Sequence, residues 1–146
     1  MYGKMRGEEL FTNDIFKIEL PGSVTVGHFS HCSGLEMSFE IFEYAEGGNN
    51  EFAHKLPGRL IHPNLLLSRG LTDSDALLKW FAQTKTGAQT GDITLTVRSD
   101  DNTRTFAFHD AFPVRWTGPS FDANGPAVFG TETLEIAHSG LKLPSS

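Results

Sequence analysis

Apolar and polar residues alternate with a period of two along most of this chain, a pattern that commits it to extended strands. In Phe16-Lys17-Ile18-Glu19-Leu20 the apolar side chains share one face and the charges the other. Pro21-Gly22 breaks that segment, and Val24-Thr25-Val26 begins the next. Asp92-Ile93-Thr94-Leu95-Thr96-Val97-Arg98 alternates strictly, and Ser99-Asp100-Asp101-Asn102 has the composition of a hairpin turn. Residues 103–109 return with Phe106 and Phe108 inward. Phe112-Pro113-Val114-Arg115-Trp116-Thr117 alternates once more, Gly118-Pro119 ends it, and residues 123–126 read as a polar loop. A final strand spans residues 129–138, with Leu134 and Ile136 on one face. The run Met37-Ser38-Phe39-Glu40-Ile41 is equally regular, but its register slips at Ile41-Phe42, which predicts a bulge or burial on both faces.

Two stretches depart from this pattern. Residues 45–58 carry little periodicity and contain Gly47, Gly48 and Gly58, so they read as a long loop or an extended hairpin tip. A strand over residues 59–68 follows, irregular at Pro63, which cannot donate a ladder hydrogen bond. Then comes one helix. Thr72 is placed as its N-cap with Asp75 three residues on, and Asp73 and Asp75 suit the positive end of the helix dipole. Leu77, Trp80, Phe81 and Thr84 follow at helical spacing, and Gly87 is the stop. Strands, one helix, then strands, without an internal repeat, predict a mainly β fold: an antiparallel sandwich or barrel carrying a single helix.

Composition narrows the function. The chain has 146 residues, one domain's worth over 1–146, and can bury a core without disulfide or metal. Cys32 is its one cysteine, which excludes an internal disulfide and fits synthesis in a reducing compartment. Twelve Lys and Arg stand against eighteen Asp and Glu, a net charge of −6, with no basic run to grip nucleic acid. Residues 1–10 contain Lys4, Arg6, Glu8 and Glu9 with no apolar core, so no secretory signal is expected. Leu65-Leu66-Leu67 is far too short for a membrane span.

Chemical motifs are missing. His28, His31 and Cys32 cluster in sequence, but strand geometry points 28 away from 31 and 31 away from 32, so ordinary strand and turn residues are the expectation. Ser30, Ser33 and Ser38 sit in no nucleophile elbow, and there is no phosphate-binding loop. Gly47-Gly48 suits flexibility more than anion binding, and Lys55 with Arg59 is a weak cation pair. Leu77, Trp80 and Phe81 read as core packing, as do Phe39, Phe106, Phe108 and Trp116 at alternating positions. No enzyme and no cofactor is expected.

A series of segments resembles the tube proteins of contractile phage tails and related injection systems. They are Phe29-Ser30-His31-Cys32-Ser33-Gly34-Leu35-Glu36, Glu43-Tyr44-Ala45-Glu46-Gly47-Gly48-Asn49-Asn50, His54-Lys55-Leu56-Pro57-Gly58-Arg59 and Leu67-Ser68-Arg69-Gly70. Trp80-Phe81 in the helix, Ala111-Phe112-Pro113-Val114-Arg115-Trp116-Thr117-Gly118-Pro119 and Thr133-Leu134-Glu135-Ile136-Ala137-His138-Ser139-Gly140-Leu141 complete it. The ordered series covers residues 13–141, whereas residues 1–12 match nothing and are left as a candidate arm.

The resemblance implies two packed antiparallel sheets flanked by a helix, homohexameric rings, and rings stacked helically into a hollow tube inside a contractile sheath. Its implied partners are further copies of itself, the sheath protein, baseplate or spike and tail-terminator proteins, and cargo (effector protein or DNA) in the lumen. Neither specific nucleic-acid binding nor membrane insertion by the monomer is implied. Assembly in a bacterial cytoplasm, followed by residence in a virion or an injection particle, is the corresponding expectation. Subunit and ring contacts fall by this likeness on Glu46, Gly47, Gly48, Asn49, Asn50, Glu51, His54, Lys55, Leu56, Pro57, Gly58 and Arg59. The competing readings are a baseplate-proximal tube initiator and, from another class, a small all-β ligand-binding module.

Overall fold

Period-two patterning becomes ten strands and one helix in the structure, a computed structural model describing residues 15–20, 24–45, 47–48, 53–72, 74–87, 91–99, 102–125 and 130–143. In chain order these are β1 (Ile15–Leu20), β2 (Val24–Phe29), β3 (His31–Ser33), β4 (Ser38–Tyr44), β5 (His54–Ile61), β6 (Leu65–Gly70), α1 (Ala76–Lys85), β7 (Gly91–Ser99), β8 (Asn102–Thr117), β9 (Thr131–Ala137) and β10 (Gly140–Leu141). All described pairings are antiparallel. The main sheet runs β2-β1-β7-β8-β9-β6-β3 with β10 beside β8, and β4-β5 forms a separate two-stranded ribbon.

Strand β8 makes two layers out of the main sheet. Its first half pairs with β7 and its second half with β9. Between the halves Asp110 has φ +48°, a left-handed conformation that aspartate tolerates better than most residues. Its N–H donates to Asp92 Oδ1 at 3.3 Å. The Lys142 ammonium, 3.1 Å from the Asp92 carboxylate, and that Asp110 N–H together hold Asp92 below the usual carboxylate range. The sequence predicts two strands here, over residues 103–109 and 112–117. One sixteen-residue strand with a corner is found instead, because the positive φ of Asp110 falls in a bulge, His109 and Asp110 standing opposite Asp92, that turns the chain without ending the strand.

The core lies between the layers. Ile18, Val26 and Phe29 from β1 and β2, Ile93 and Leu95 from β7, and Phe108 from β8 form one wall. Leu65 and Leu67 from β6 and Leu134 and Ile136 from β9 form the other. Phe106 and Trp116 pack at its margin, half buried. Helix α1 touches β2 and β8 and contributes Leu77 and Trp80, both 2% exposed. The predicted apolar face and the stop at Gly87 (φ +78°) are present.

The helix start differs from expectation. It begins at Ala76 with Asp75 at the N-cap position and no side-chain cap bond. Thr72 accepts the Ser74 N–H (3.3 Å) and Ser74 accepts the Ala76 N–H (3.4 Å). These local hydroxyl turns satisfy the Ser74 and Ala76 N–H groups at the helix start, where the sequence predicts a capping box at Thr72. Asp73 lies outside the described residues, as do Phe129 and residues 1–12.

One polar network ties the layers together. Arg69 on β6 ion-pairs through Nε with Glu132 Oε1 on β9, both side chains being buried. Its Nη1 reaches the His28 carbonyl on β2 at 3.5 Å, and its guanidinium lies 5.0 Å from the centre of the Phe29 ring. Trp116 on β8 donates Nε1–H to Glu132 Oε2 at 3.1 Å. A Cβ on Gly27 would stand 2.3 Å from Arg69 Nη1, so only glycine leaves room for the guanidinium.

Candidate functional site

Strands β4 and β5 hold what the core leaves out. They pair as Ser38 with Ile61, Phe39 with Leu60, Ile41 with Pro57, Phe42 with Leu56, Glu43 with Lys55 and Tyr44 with His54. The register shifts between Phe39 and Ile41, just before the predicted Ile41-Phe42, and the extra residue lies on β5, where Gly58 and Arg59 stand opposite Glu40. Pro57 sits inside the ribbon without disrupting it because a two-stranded ribbon leaves one edge of each strand unladdered.

Alternation puts Phe39, Ile41, Leu60 and Pro57 on one face and Phe42, Leu56 and Ile61 on the other. Among the described residues neither face is covered beyond the half-buried Leu60. Every residue of β4 is exposed, Ile41 by 66% and Phe42 by 61%. This corrects the reading of Phe39 as a core residue: at 57% exposure it belongs to no core within the subunit. Burial of both faces at Ile41-Phe42 likewise does not occur within the described residues. The physical reason is that β4 and β5 leave the sandwich, so neither layer reaches them.

The expected loop is also shorter than 45–58. Strand β5 already begins at His54, placing His54, Lys55, Leu56, Pro57, Gly58 and Arg59 in the ribbon. His54 stacks on Tyr44 with ring centroids 5.6 Å apart, and Lys55 faces Glu43 across the pair. Gly47 and Gly48 form an exposed turn. Glu46, Asn49, Asn50 and Glu51 lie outside the described residues. The structure thus brings the second half of the expected contact set together with Phe39, which the sequence reading placed in the core, and with Ile41, Phe42 and Tyr44, which it did not single out as contacts. The signal for them was present: a strand apolar on both faces needs cover on both.

Elsewhere the described surface offers little chemistry. No three His, Cys, Asp or Glu side chains among the described residues group closely enough to hold a metal ion. His28 and His31 are exposed and Cys32 is half buried, its thiol pushed up to about 11 by burial. One open groove of about 230 Å³ lies between Leu66, Arg115, Thr117, Thr133 and Glu135, with no aromatic side chain. No helix among the described residues is long and apolar enough to cross a membrane.

A projecting, doubly apolar ribbon on a two-layer sandwich has a match among known families. The profile of the family described as T4-like virus tail tube protein gp19 matches residues 12–142. The chain belongs to this tail tube family. Solved structures agree on the fold of this tail tube protein. A chain in the cryo-EM structure of the anti-feeding prophage (AFP) baseplate superposes with a TM-score of 0.74 at 21% identity, covering 94% of this chain and 96% of that one. A chain of the PVC sheath-tube complex, an extracellular contractile injection system in its extended state, gives 0.74 at 24%, with 93% and 92% covered. A crystal structure of an Hcp protein gives 0.51 at 9%, with 85% and 87% covered. No curated protein sequence matches the tail tube chain. Its family is that of a tail tube protein, and these structures share its fold.

Proposed function

We propose that this tail tube protein is the repeating, non-enzymatic subunit of a contractile particle's inner tube, and that its β4-β5 ribbon is the principal contact between copies. The observation that carries the second half is the ribbon itself, apolar on both faces and, among the described residues, laddered to no strand of the sandwich. An isolated two-stranded ribbon is marginal in water. Uncovered apolar area of this kind marks an interaction surface. Among the described residues no third strand joins the ribbon, and an open sheet edge is a liability that pairing with a neighbour removes.

Six copies joined head to tail close a ring, and a second, non-closing contact stacks rings into a hollow rod. Six is the number the family resemblance implies. A barrel of many strands leaves a water-filled lumen wide enough for cargo. Net acidity suits a lumen that does not hold DNA. A contractile sheath outside and a terminator at the end follow from the assemblies named for similar structures, a sheath-tube complex and a tube-terminating cap. Residence in a phage or extracellular injection particle follows from the same names.

The test is negative-stain microscopy of the purified protein beside Ile41→Lys and a deletion of residues 47–57. Hollow rods from the wild type, and their loss in both variants with the subunit still folded, support the reading. Rods of normal length from the deletion remove the ribbon from it. Rings that never elongate favour the tube-initiator alternative.

A further inference from the structure

The ribbon leaves the sandwich on two legs, residues 34–37 before β4 and 62–64 after β5. The legs meet at Gly34, whose φ is +93° and where a Cβ would stand 2.2 Å from the Asn64 carbonyl oxygen. His138, just past β9, holds the second leg: its Nε2 lies 3.1 Å from the Pro63 carbonyl. A carbonyl only accepts, so Nε2 carries the proton and Nδ1 of the neutral ring keeps its lone pair. That Nδ1 is buried and has no hydrogen-bond partner among the described residues, and the same is true of His62 Nδ1. The two imidazoles stand edge to face with centroids 5.7 Å apart. The Phe108 ring closes on His138 at 4.7 Å, and the Gly140 backbone lies against His62.

We propose that His138, packed against His62, forms a pH-sensitive latch at the ribbon's base: neutral, it clamps the second leg to the sandwich, and its protonation releases the leg. The inference rests on the ribbon's role in assembly for its consequence, though not for its mechanism. A proton on His138 Nδ1 creates a cationic donor at a buried position with no acceptor among the described residues. Among the described residues no carboxylate offsets that charge. From the leg the facing group is His62, a like charge once protonated; from β8 it is the Phe108 ring; from β10 it is backbone. The side chains flanking these contacts, His109 and Lys142, reach Asp92 instead, at 3.6 and 3.1 Å.

Burial first, and His62 in addition, hold His138 below the ordinary histidine value. Once the leg swings out, His138 titrates near about 6.5, so the open form binds the proton more tightly than the clamped form. The clamp is therefore fully present above about pH 6.5 and is lost progressively as pH falls below it. One proton shifts the opening equilibrium by at most about tenfold per pH unit.

Hydrogen exchange read by mass spectrometry on peptides covering residues 56–66 tests this, at about pH 7.5 and about pH 5.5 after correction for the chemical exchange rate. His138→Gln supplies an amide donor for the Pro63 carbonyl that does not titrate. Protection that falls in acid for the wild type and stays level in His138→Gln supports the latch. Equal protection at both pH values, or the same fall in the variant, overturns it. Should the variant not fold, the wild type decides alone by NMR titration of the His138 ring. A midpoint coinciding with loss of protection supports the latch, and an ordinary midpoint with unchanged protection overturns it. Rod length scored by microscopy over the same range separates the two readings. Opening in acid with rods shortened supports both, whereas opening with rods unchanged keeps the latch and removes the ribbon from the contact.

Discussion

Replacing Arg69 by methionine keeps an unbranched apolar stem in the layer interface and removes the guanidinium. Glu132, 5% exposed at its side chain, then remains as a buried carboxylate with Trp116 Nε1–H its one remaining partner in the network. Breaking one side of a buried ion pair costs about 3–5 kcal/mol, because the remaining charge stays desolvated. The lost contacts to the His28 carbonyl and the Phe29 ring act in the same direction. Adding Glu132→Gln removes the stranded charge and keeps an acceptor for Trp116, so the double variant is less destabilised than Arg69→Met alone. Gly27→Ala drives a methyl into the guanidinium's place and costs about 1–3 kcal/mol in the wild type, yet much less beside Arg69→Met. The assay is urea unfolding with matched m-values, at protein concentrations where the midpoint does not depend on assembly. A loss under about 1 kcal/mol for Arg69→Met, or strictly additive effects in either double variant, refutes the network as the tie between layers.

Three further outcomes are expected. Trp80→Ala empties the pocket between α1 and the sandwich and lowers stability by about 3–5 kcal/mol, read by the same unfolding assay. Phe42→Lys changes subunit stability by no more than about 0.5 kcal/mol, because its side chain is exposed in the subunit, while abolishing rods if the proposed ribbon contact holds. Cys32, with its thiol pushed to about 11, reacts with iodoacetamide on the order of a hundredfold more slowly in the folded protein than after denaturation.

Most strands were legible because each buries one face, which writes a period of two directly into the sequence: Ile18, Ile93, Leu95, Leu134 and Ile136 all fall where alternation places them. What alternation cannot convey is which body covers the apolar face. Phe39 and Phe108 look alike in sequence, and only the course of the chain sends one to solvent and the other to the core. The ribbon's second strand was hidden because Pro57 and Gly58 read as loop residues, although a ribbon edge tolerates both. The corner at Asp110 and the helix start at Ala76 depend on one dihedral and on hydroxyl turns that no periodicity records. The Arg69–Glu132 pair joins residues 63 positions apart, beyond the reach of any local pattern. His62 and His138 are farther apart still and meet only because β6 lies beside β9.

The most direct measurement is a cryo-EM reconstruction of rods formed by the purified protein, good enough to trace β4 and β5. It should find their outer backbone edges laddered to neighbouring copies, with Phe39, Ile41 and Phe42 covered by them. Ribbons standing free in solvent, or folded back onto the sandwich they came from, would contradict the account.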